Sequence, residues 1–467
     1  MFLFLFYSVF ILFILFVLFV LFFCFILFVL FYCFILFYFV LFCFILFYFF
    51  VFNFNTFDYS LLKAFKSLKP VLYFMSMTIG LAGKPNAGKS TFYKAATLAD
   101  VEIANYPFTT IHANHGVTYV QTKCPCLERD ARCRKCDNGI RYVPIDIIDV
   151  AGLVPDAHKG KGLGNAFLDD LRQAQAIIHV VDASGGTDAE GNPIDIGTGS
   201  PAADVKFLDY ELEMWLFEIL NRNWSKLSRK IKAENLKLEE VIADQLSGAG
   251  ITVEHALFAL HETKLGNKEA QHWTEEDMVT LCQVIRKESK PMIIAANKCD
   301  VAPEKTKSEL SDVGKPVIFI SAAAELVLKS ASKAGLIKYI PGDDHFEILG
   351  TLTPAQEKGL KSVEHLLQSN HGTGVQKCIH EAVFGILDMI VVYPVEDEGK
   401  WANKMGEMLL DAYLVKRGST CKDLAYMIHT EIGDKFLYAV DARTKMRLAE
   451  KHEMKDGDVI KIVSTAK

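Results

Sequence analysis

Residues 2–52 of this 467-residue chain contain no charged residue, no glycine and no proline. The stretch consists of Phe, Leu, Ile, Val, Tyr, Cys and Ser alone, and the first charge in the chain is Asp58. A cleaved secretion signal is disfavoured, because it would have a basic start and a much shorter apolar core. About 20 apolar residues cross a bilayer, so the length allows one long anchor or two closely spaced spans. However, no flanking charge would set their orientation.

The residue types of this leader, residues 1–74, suggest a second explanation. The seven residue types found in residues 2–52 are all encoded by thymine-rich codons. Thymine-rich upstream DNA read as protein would therefore have the same composition. We therefore expect the true start to be Met75 or Met77 and the protein to be cytoplasmic. The alternative is a protein anchored to the membrane through residues 1–52.

The two explanations of the leader predict different proteins in the cell. Protein that begins at Met75 is expected to bind nucleotide normally, and mass spectrometry of the native protein is expected to find no peptide upstream of Met75. A recovered leader peptide, or residence in the membrane fraction that depends on residues 1–52, would support the anchor instead.

The chain also lacks an excess of positive charge and a disulfide framework. Its formal net charge is −6, which does not favour wholesale binding of nucleic acid. Of its eleven cysteines, three lie in the leader, four cluster within residues 124–136 and four are scattered. This usage agrees with a reducing compartment. The length is enough for two or three domains.

A phosphate-binding loop lies at residues 80–91, which read G-L-A-G-K-P-N-A-G-K-S-T. A short apolar strand before the loop and a helix after it give the context that a phosphate cradle requires, whereas a glycine-rich turn before an ordinary helix is the alternative. We expect Lys89 to reach the β- and γ-phosphates and Ser90 to ligate Mg²⁺. The predicted nucleotide-binding residues here are Gly83, Lys84, Pro85, Asn86, Ala87, Gly88, Lys89, Ser90 and Thr91.

Residues 105–110, N-Y-P-F-T-T, carry two adjacent hydroxyls in a loop interrupted by proline. In a P-loop GTPase, a threonine at this place closes over Mg²⁺ and the γ-phosphate. We assign Thr110 to Mg²⁺ and predict Phe108 and Thr109 as further nucleotide contacts. Read alone, two threonines would more often mark the start of a strand.

An apolar strand at residues 143–150 leads to a D-x-x-G motif formed by Asp149 and Gly152. We expect Asp149 to hold Mg²⁺ through water and the N–H of Gly152 to sense the γ-phosphate. Leu153 occupies the position where Ras-like proteins have a glutamine that orients the attacking water. Another side chain, a cation or a docking partner must therefore do so here.

The cysteine cluster has the pattern C-x-C, six residues, C-x-x-C, formed by Cys124, Cys126, Cys133 and Cys136. Two close pairs on a short loop can bring four thiolates to one tetrahedral centre, the usual structural Zn²⁺ site. Four unrelated thiols are the alternative. The basic residues around it suit either RNA phosphates or a solvated loop; they are Arg129, Arg132, Arg134, Lys135 and Arg141.

A guanine-recognition motif, N-K-C-D, spans Asn297, Lys298 and Asp300 after another buried strand. The Asp300 carboxylate can accept both the N1–H and the exocyclic amine of guanine, a pattern that adenine cannot match. Ser321 and Ala322 lie where a backbone N–H commonly meets the guanine O6. Between these motifs, residues 204–290 show apolar residues at helical spacing, which predicts a helical insertion.

These motifs resemble those of the Obg-related GTPases, in the YchF-like branch of archaea and eukaryotes. The resemblance lies in N-Y-P-F-T-T at 105–110, D-V-A-G-L-V at 149–154 and G-x-G-L-G-N-x-F-L at 160–168. Residues 413–463 are similar to a TGS domain, a ubiquitin-like β-grasp module. The resemblance covers residues 77–467.

The resemblance implies an α/β fold. A P-loop GTPase domain with a mostly parallel sheet is expected at 75–390, with the cysteine knuckle at 124–136 and the helical insertion inside it. The TGS domain and its connector would occupy 391–467. The resemblance also implies a Mg²⁺-dependent switch that hydrolyses GTP and acts on the ribosome or tRNA. Bacterial YchF-type proteins generally depart from N-K-x-D and favour ATP, whereas this chain keeps the guanine form.

Two residues are candidates for the missing glutamine's role. Asn86 lies where Obg-like GTPases use an asparagine to help bind K⁺, and His158 matches a histidine of the YchF-like pattern. We expect these two to act in catalysis with Lys89 and Gly152. The alternative for His158 is an ordinary exposed loop residue without a catalytic role. The alternative function is an RNA- or ribosome-docking module whose nucleotide is structural and turns over little.

Overall fold

A computed structural model of the chain describes residues 77–98, 114–129, 132–150, 152, 170–409 and 411–465. All of these residues belong to one compact unit, Tyr73–Lys467. The leader, the N-Y-P-F-T-T loop and residues 153–169, which include His158, lie outside the described residues. No helix within the described ranges has the length and apolar character needed to cross a membrane.

The first sheet is assembled from the apolar runs that lead into the nucleotide motifs. Its strand order is β2-β4-β1-β5-β6-β7, with β3 paired to β4. Strands β4, β1, β5, β6 and β7 are parallel, whereas β2 and β3 run antiparallel to β4. Their bounds are Thr78–Ala82 (β1), His115–Lys123 (β2), Cys136–Asp137 (β3), Ile140–Asp149 (β4), Ala176–Asp182 (β5), Met292–Asn297 (β6) and Val317–Phe319 (β7).

The central strands β1, β5 and β6 are buried along their whole length, as expected where helices cover both faces of a parallel sheet. The helix that follows the phosphate loop is α1, Lys89–Thr97. Because parallel strands end at the same edge of a sheet, the residues after β1, β4, β5 and β6 converge there.

The predicted helical insertion forms a layer with its own apolar core, which includes the stacked rings of Trp224 and Trp273. It begins slightly before the predicted position 204, because Pro201 supplies a fixed φ suited to a helix start. Its helices are α2 (Pro201–Asn221), α3 (Trp224–Glu234), α4 (Leu238–Gln245), α5 (Val253–Glu262) and α6 (Glu275–Ser289).

Further helices and a short hairpin follow β6 and complete the first domain. Gln376, in the last of these helices, donates a hydrogen bond to the carbonyl of Tyr119 in β2 and so ties the two elements together. The elements are α7 (Glu304–Ser311), α8 (Ala322–Lys333), β8 (Ile337–Lys338), β9 (Glu347–Ile348), α9 (Pro354–Asn370) and α10 (Val375–His380).

The second sheet is C-terminal and has the order β11-β10-β14-β12-β13. The pattern in residues 413–463 predicts a strand, a helix and two strands. The structure adds a second short helix, Thr430–Asp434, a further short strand, Arg447–Leu448, and strand β10, which precedes this segment. This strand pairs in parallel with β14 and antiparallel with β11. The elements are β10 (Met389–Val395), β11 (Tyr413–Lys416), α11 (Cys421–Ile428), α12 (Thr430–Asp434), β12 (Phe436–Asp441), β13 (Arg447–Leu448) and β14 (Val459–Ser464).

The predicted fold class is thereby confirmed: an α/β domain with a mostly parallel sheet is followed by a C-terminal domain with a separate sheet. The division of the chain at residues 74, 390 and 391 stays a prediction.

Candidate functional site

The phosphate loop between β1 and α1 requires glycine at both of its motif positions. Gly83 and Gly88 have φ of +145° and +97°. A Cβ on Gly83 would lie 2.3 Å from the carbonyl oxygen of Val180, and one on Gly88 would lie 2.2 Å from Nδ2 of Asn297. Neither space admits a side chain, so the loop backbone is held tightly between β5 and the guanine motif.

Lys89 crosses the phosphate loop rather than extending into solvent. Its side chain is largely buried, and its Nζ donates a hydrogen bond to the carbonyl oxygen of Lys84 at 3.0 Å. Burial lowers the pKa of Lys89, while the charge of Asp149 opposes that shift. A Cβ on Gly152 would lie 3.2 Å from the same Nζ. The loop, the ammonium group and the D-x-x-G glycine therefore meet at one point.

The two described residues predicted to hold Mg²⁺ lie in direct contact. The Ser90 hydroxyl donates to Oδ2 of Asp149 at 3.0 Å. Burial raises the pKa of Asp149, and the hydrogen bond from Ser90 and the charge of Lys89 counter that effect. A hydroxyl beside a carboxylate is a set of hard oxygen ligands that suits Mg²⁺. Thr110, the third predicted ligand, lies outside the described residues.

A glycine-rich loop between β5 and α2, residues 183–200, packs onto the phosphate loop. Nδ2 of Asn86 donates to the carbonyl oxygen of Gly191 at 2.9 Å. Lys84 donates to the carbonyl oxygen of Thr187 at 3.1 Å and forms a 2.6 Å ion pair with Asp204. None of the sequence motifs described above includes this loop in the site. The signal available was the run of glycines after a buried strand that ends in aspartate.

Asp182, at the end of β5, joins this loop to the guanine motif. Its carboxylate accepts hydrogen bonds from the backbone N–H and hydroxyl of Ser184, the hydroxyl of Thr187 and Nζ of Lys298. Burial alone would raise the pKa of Asp182, but the donors, Lys298 above all, hold it below its ordinary value. Lys298 has a left-handed backbone, with φ of +62°, that turns it toward this carboxylate.

Asn297 bridges three parts of the predicted nucleotide site. Its Nδ2 donates to the carbonyl oxygen of Ala87 at 3.0 Å, and its Oδ1 accepts from the N–H of Ala322 at 3.1 Å. The backbone N–H of Ser321 donates a hydrogen bond to the carbonyl oxygen of Thr373. Both amides predicted near the guanine O6 are thus engaged within the protein, whereas Ala323 is exposed.

Asp300 follows this bridge and is exposed. Three distant motifs, the phosphate loop, N-K-C-D and the turn before α8, are therefore assembled as one surface at the carboxyl edge of the first sheet. Such an edge is where open α/β sheets bind their ligands.

Family models match three parts of the chain. A 50S ribosome-binding GTPase model matches residues 78–215, and the G4 motif-containing domain of the YGR210-like Obg-like GTPases matches residues 295–397. A TGS domain model matches residues 403–464.

Relatives extend over almost the whole described chain. The ribosome-binding ATPase YchF of Bacillus subtilis is 26% identical over 372 residues, which are 78% of this chain and 88% of that protein. An uncharacterized GTP-binding protein of Methanocaldococcus jannaschii is 50% identical over 400 residues, which are 83% of this chain and 99% of that protein. The chain belongs to the YchF-type Obg-like GTPases.

A solved structure agrees with this membership. The crystal structure of a GTP-binding protein from Pyrococcus horikoshii is 40% identical, with a TM-score of 0.67. The match covers 83% of this chain and 100% of that one. As a member of this family the protein has a GTP-binding P-loop domain followed by a TGS domain, as the resemblance implies.

The cysteine knuckle of this Obg-like GTPase brings its four thiols together. Their sulfur atoms all lie within 4.8 Å of one another. The Sγ atoms of Cys124 and Cys133 are 3.6 Å apart, those of Cys126 and Cys136 are 3.5 Å apart, and those of Cys133 and Cys136 are 3.4 Å apart. Tetrahedral Zn²⁺ with Zn–S bonds of about 2.3 Å would separate its sulfur ligands by roughly 3.8 Å. The donor set therefore fits zinc.

The thiols also share protons unevenly. A hydrogen bond from Cys124 lowers the pKa of Cys133 to about 4 and raises that of Cys124, while burial raises the pKa of Cys136 to about 11. Two of the basic residues around the knuckle, for which RNA contact and a solvated loop were the alternatives, lie against aromatic rings of the C-terminal part of the chain. Arg129 lies over the Trp401 ring, and Arg141 is buried near the Tyr393 ring.

Proposed function

We propose that this Obg-like GTPase hydrolyses GTP to GDP and phosphate, and that the two nucleotide states switch its action on the ribosome. The observation that carries this proposal is the bridge made by Asn297, which joins the phosphate loop to the guanine motif while Asp300 remains exposed. This bridge supports the proposal, because it holds the phosphate loop and the guanine motif together before any nucleotide binds.

Mg²⁺ is proposed as a cofactor, held by Ser90, Asp149 and Thr110. When bound, it would neutralise charge on the phosphates. Within the chain, the ammonium group of Lys89 supplies a positive charge. Because Lys89 is buried, little water surrounds this group, so little solvent has to reorganise when negative charge develops on the phosphates. Gly152 is proposed to report the γ-phosphate through its N–H, because it lies beside Lys89 and is exposed.

Guanine recognition is proposed to rest on Asp300, with Lys298 held in place by Asp182. Because the amides of Ser321 and Ala322 are engaged within the protein, the contact to O6 is proposed to shift to the N–H of exposed Ala323. Asn86 is proposed to help bind K⁺. Nδ2 of Asn86 donates a hydrogen bond to the carbonyl oxygen of Gly191. This fixes the orientation of the side-chain amide, whose Oδ1 would coordinate the cation.

The ribosome is the proposed partner and the cytoplasm the proposed location. The matching family model is described as a 50S ribosome-binding GTPase, and the Bacillus subtilis relative is named as ribosome-binding. That relative is also named an ATPase, so nucleotide preference must be measured on this chain. An interaction with tRNA stays a prediction.

Turnover of GTP by purified protein, with and without ribosomes, tests the proposal. We expect Mg²⁺-dependent release of phosphate that rises when ribosomes are added, and co-sedimentation with ribosomes that differs between GDP and a non-hydrolysable GTP analogue. Binding to ribosomes without turnover in either condition would instead support the docking module with a structural nucleotide.

One Zn²⁺ per chain is proposed at Cys124, Cys126, Cys133 and Cys136. Elemental analysis of protein purified without chelator is expected to find stoichiometric zinc, and Cys133→Ser is expected to lose it because three thiolates no longer close the tetrahedron. Cys282→Ser is the matched control, since this buried thiol lies in the helical insertion outside the cluster. Wild-type protein without metal would mean that the cluster is merely four thiols.

A further inference from the structure

The cysteine knuckle lies between the two domains. Cys124, Cys126 and Cys133 belong to an apolar cluster that continues into the C-terminal domain. The residues that this cluster takes from the second sheet and its loops include Val391, Tyr393, Val395, Trp401, Leu409, Ala442 and Val459. The thiols are therefore part of the packing that joins the P-loop domain to the TGS domain.

A short 3₁₀ helix of the knuckle, Pro125–Arg129, carries the polar contacts across this boundary. Glu128 accepts two hydrogen bonds of 2.7 Å from the guanidinium group of Arg443. Arg129 donates to the carbonyl oxygen of Gly399 at 2.5 Å. The guanidinium groups of Arg129 and Arg443 lie 5.0 and 5.5 Å from the ring centre of Trp401.

Trp401 is fixed in this position by its own domain. It is almost completely buried, and its Nε1 donates to the carbonyl oxygen of Ala442 at 3.2 Å. We call Glu128, Arg129, Trp401 and Arg443 the interdomain latch.

The polar contacts of the latch are weak unless the knuckle helix is already held in place. Glu128 and Arg443 are both partly exposed, and an ion pair of that kind contributes little once the ordering of its side chains is counted. A 3₁₀ helix of five residues is not stable by itself. Its position must come from what fastens it to the rest of the domain.

The cysteines provide that fastening. Cys126 lies within the knuckle helix and Cys124 directly precedes it, whereas Cys136 lies in β3 beside β4. A metal held by all four thiolates would bond the helix to the β3–β4 hairpin. The strand β4 then runs on to Asp149 of the nucleotide site, and β2 ends directly before Cys124. The site thus connects the TGS domain to the strand that carries a predicted Mg²⁺ ligand.

We propose that the four-cysteine site, when it holds Zn²⁺, is what keeps the interdomain latch closed and the TGS domain packed on the P-loop domain. This inference rests on the zinc binding proposed above but not on GTP hydrolysis. Loss of the metal frees the knuckle helix, and Glu128 and Arg129 then no longer meet Arg443 and Trp401.

Hydrogen–deuterium exchange on the purified full chain tests the proposal, with zinc content measured on the same samples. Removing zinc with a strong chelator is expected to speed exchange about tenfold or more in peptides from 125–129, 396–409 and 441–443. Peptides from α1 are expected not to change, and their protection shows that the P-loop domain remains folded. Adding Zn²⁺ back is expected to restore the original rates.

A variant of the latch distinguishes the effect of the metal from the effect of the Glu128–Arg443 contact. Glu128→Ala is expected to keep one zinc per chain yet speed exchange in peptides 396–409 and 441–443. The matched control is Glu450→Ala, which removes a 2.8 Å ion pair between Glu450 and Lys422 inside the TGS domain. That control is expected to leave both zinc content and interdomain exchange unchanged.

Two results would overturn the proposal. If zinc-loaded protein loses its metal to the chelator and its TGS peptides still exchange at the same rate, zinc binding is confirmed but zinc does not hold the latch closed. If the purified protein contains no zinc, or if mass spectrometry finds disulfides among the four cysteines, both the zinc site and its role in the latch are refuted. Neither result bears on GTP turnover, so failure here is distinct from failure of the proposed GTPase activity.

Discussion

Replacing Asp300 with asparagine is expected to weaken GTP binding by a factor of about 30 to 5,000, the range for removing one partner of a bidentate hydrogen-bonded pair that the bound base buries. The carboxylate of Asp300 can accept from both N1–H and the exocyclic amine of guanine. Asparagine offers only one acceptor in its place and adds an N–H donor, which suits the carbonyl at position 2 of xanthine. Calorimetric titration with GTP, ATP and xanthosine triphosphate measures the change.

The structure makes Asp300→Asn a clean test of base recognition. Asp300 is exposed, so its replacement should leave the fold intact, while Asn297 and Lys298 keep their contacts to Ala87 and Asp182. Asp312→Asn is a matched control, because Asp312 is an exposed aspartate beyond α7. Unchanged GTP affinity in Asp300→Asn would contradict the guanine assignment. Equal affinity of the wild type for ATP would place it with the relatives named as ATPases.

The strands that lead into the nucleotide motifs could be predicted because each is a local apolar run that ends in a recognisable motif. The apolar run before the phosphate loop is the strand Thr78–Ala82, and the run predicted at 143–150 lies almost wholly within the strand Ile140–Asp149. Parallel strands buried on both faces are continuous apolar runs, so these segments are visible without knowledge of their neighbours.

The parts that sequence analysis missed depend on residues that are far apart in the chain. Lys84 and Asn86 meet the loop after β5 at separations of 103 and 105 residues, and Glu128 meets Arg443 at 315. No local pattern predicts such pairs. Strand β10 was missed for the same reason, since its parallel partner β14 begins at Val459.

The sequence predicts a set of residues for the nucleotide site, but it does not predict the hydrogen bonds that join them. Asn297 is predicted to contact the nucleotide, and that stays a prediction; its role as the bridge between Ala87 and Ala322 is visible only in the structure. Gly88 is constrained by the same bridge, because a side chain there would strike Nδ2 of Asn297. Asp182 has no motif of its own, yet it anchors both Lys298 and Thr187. A buried aspartate at the end of a strand was the signal available.

His158→Ala is expected to lower kcat for GTP by about 100-fold or more and to leave GTP affinity nearly unchanged. Leu153 cannot orient water, because it has no group that forms hydrogen bonds. Another histidine, His179, lies behind the phosphate loop but is fully buried, and burial lowers its pKa to about 3. It therefore stays neutral and away from solvent, so His179 is not in a position to orient the attacking water. Single-turnover phosphate release, with binding measured separately, gives the two quantities.

The comparison must include K⁺ and ribosomes, because each is an alternative means of positioning the water or stabilising the developing charge. His261→Ala is the matched control, since His261 is an exposed histidine at the end of α5 in the helical insertion. If His158→Ala hydrolyses GTP at the wild-type rate in K⁺ with ribosomes present, the prediction is wrong. Replacing K⁺ with Na⁺ then separates the remaining explanations: a fall in kcat that is absent in Asn86→Ala would assign the role to a cation held at Asn86, whereas equal rates in both salts would assign it to the ribosome.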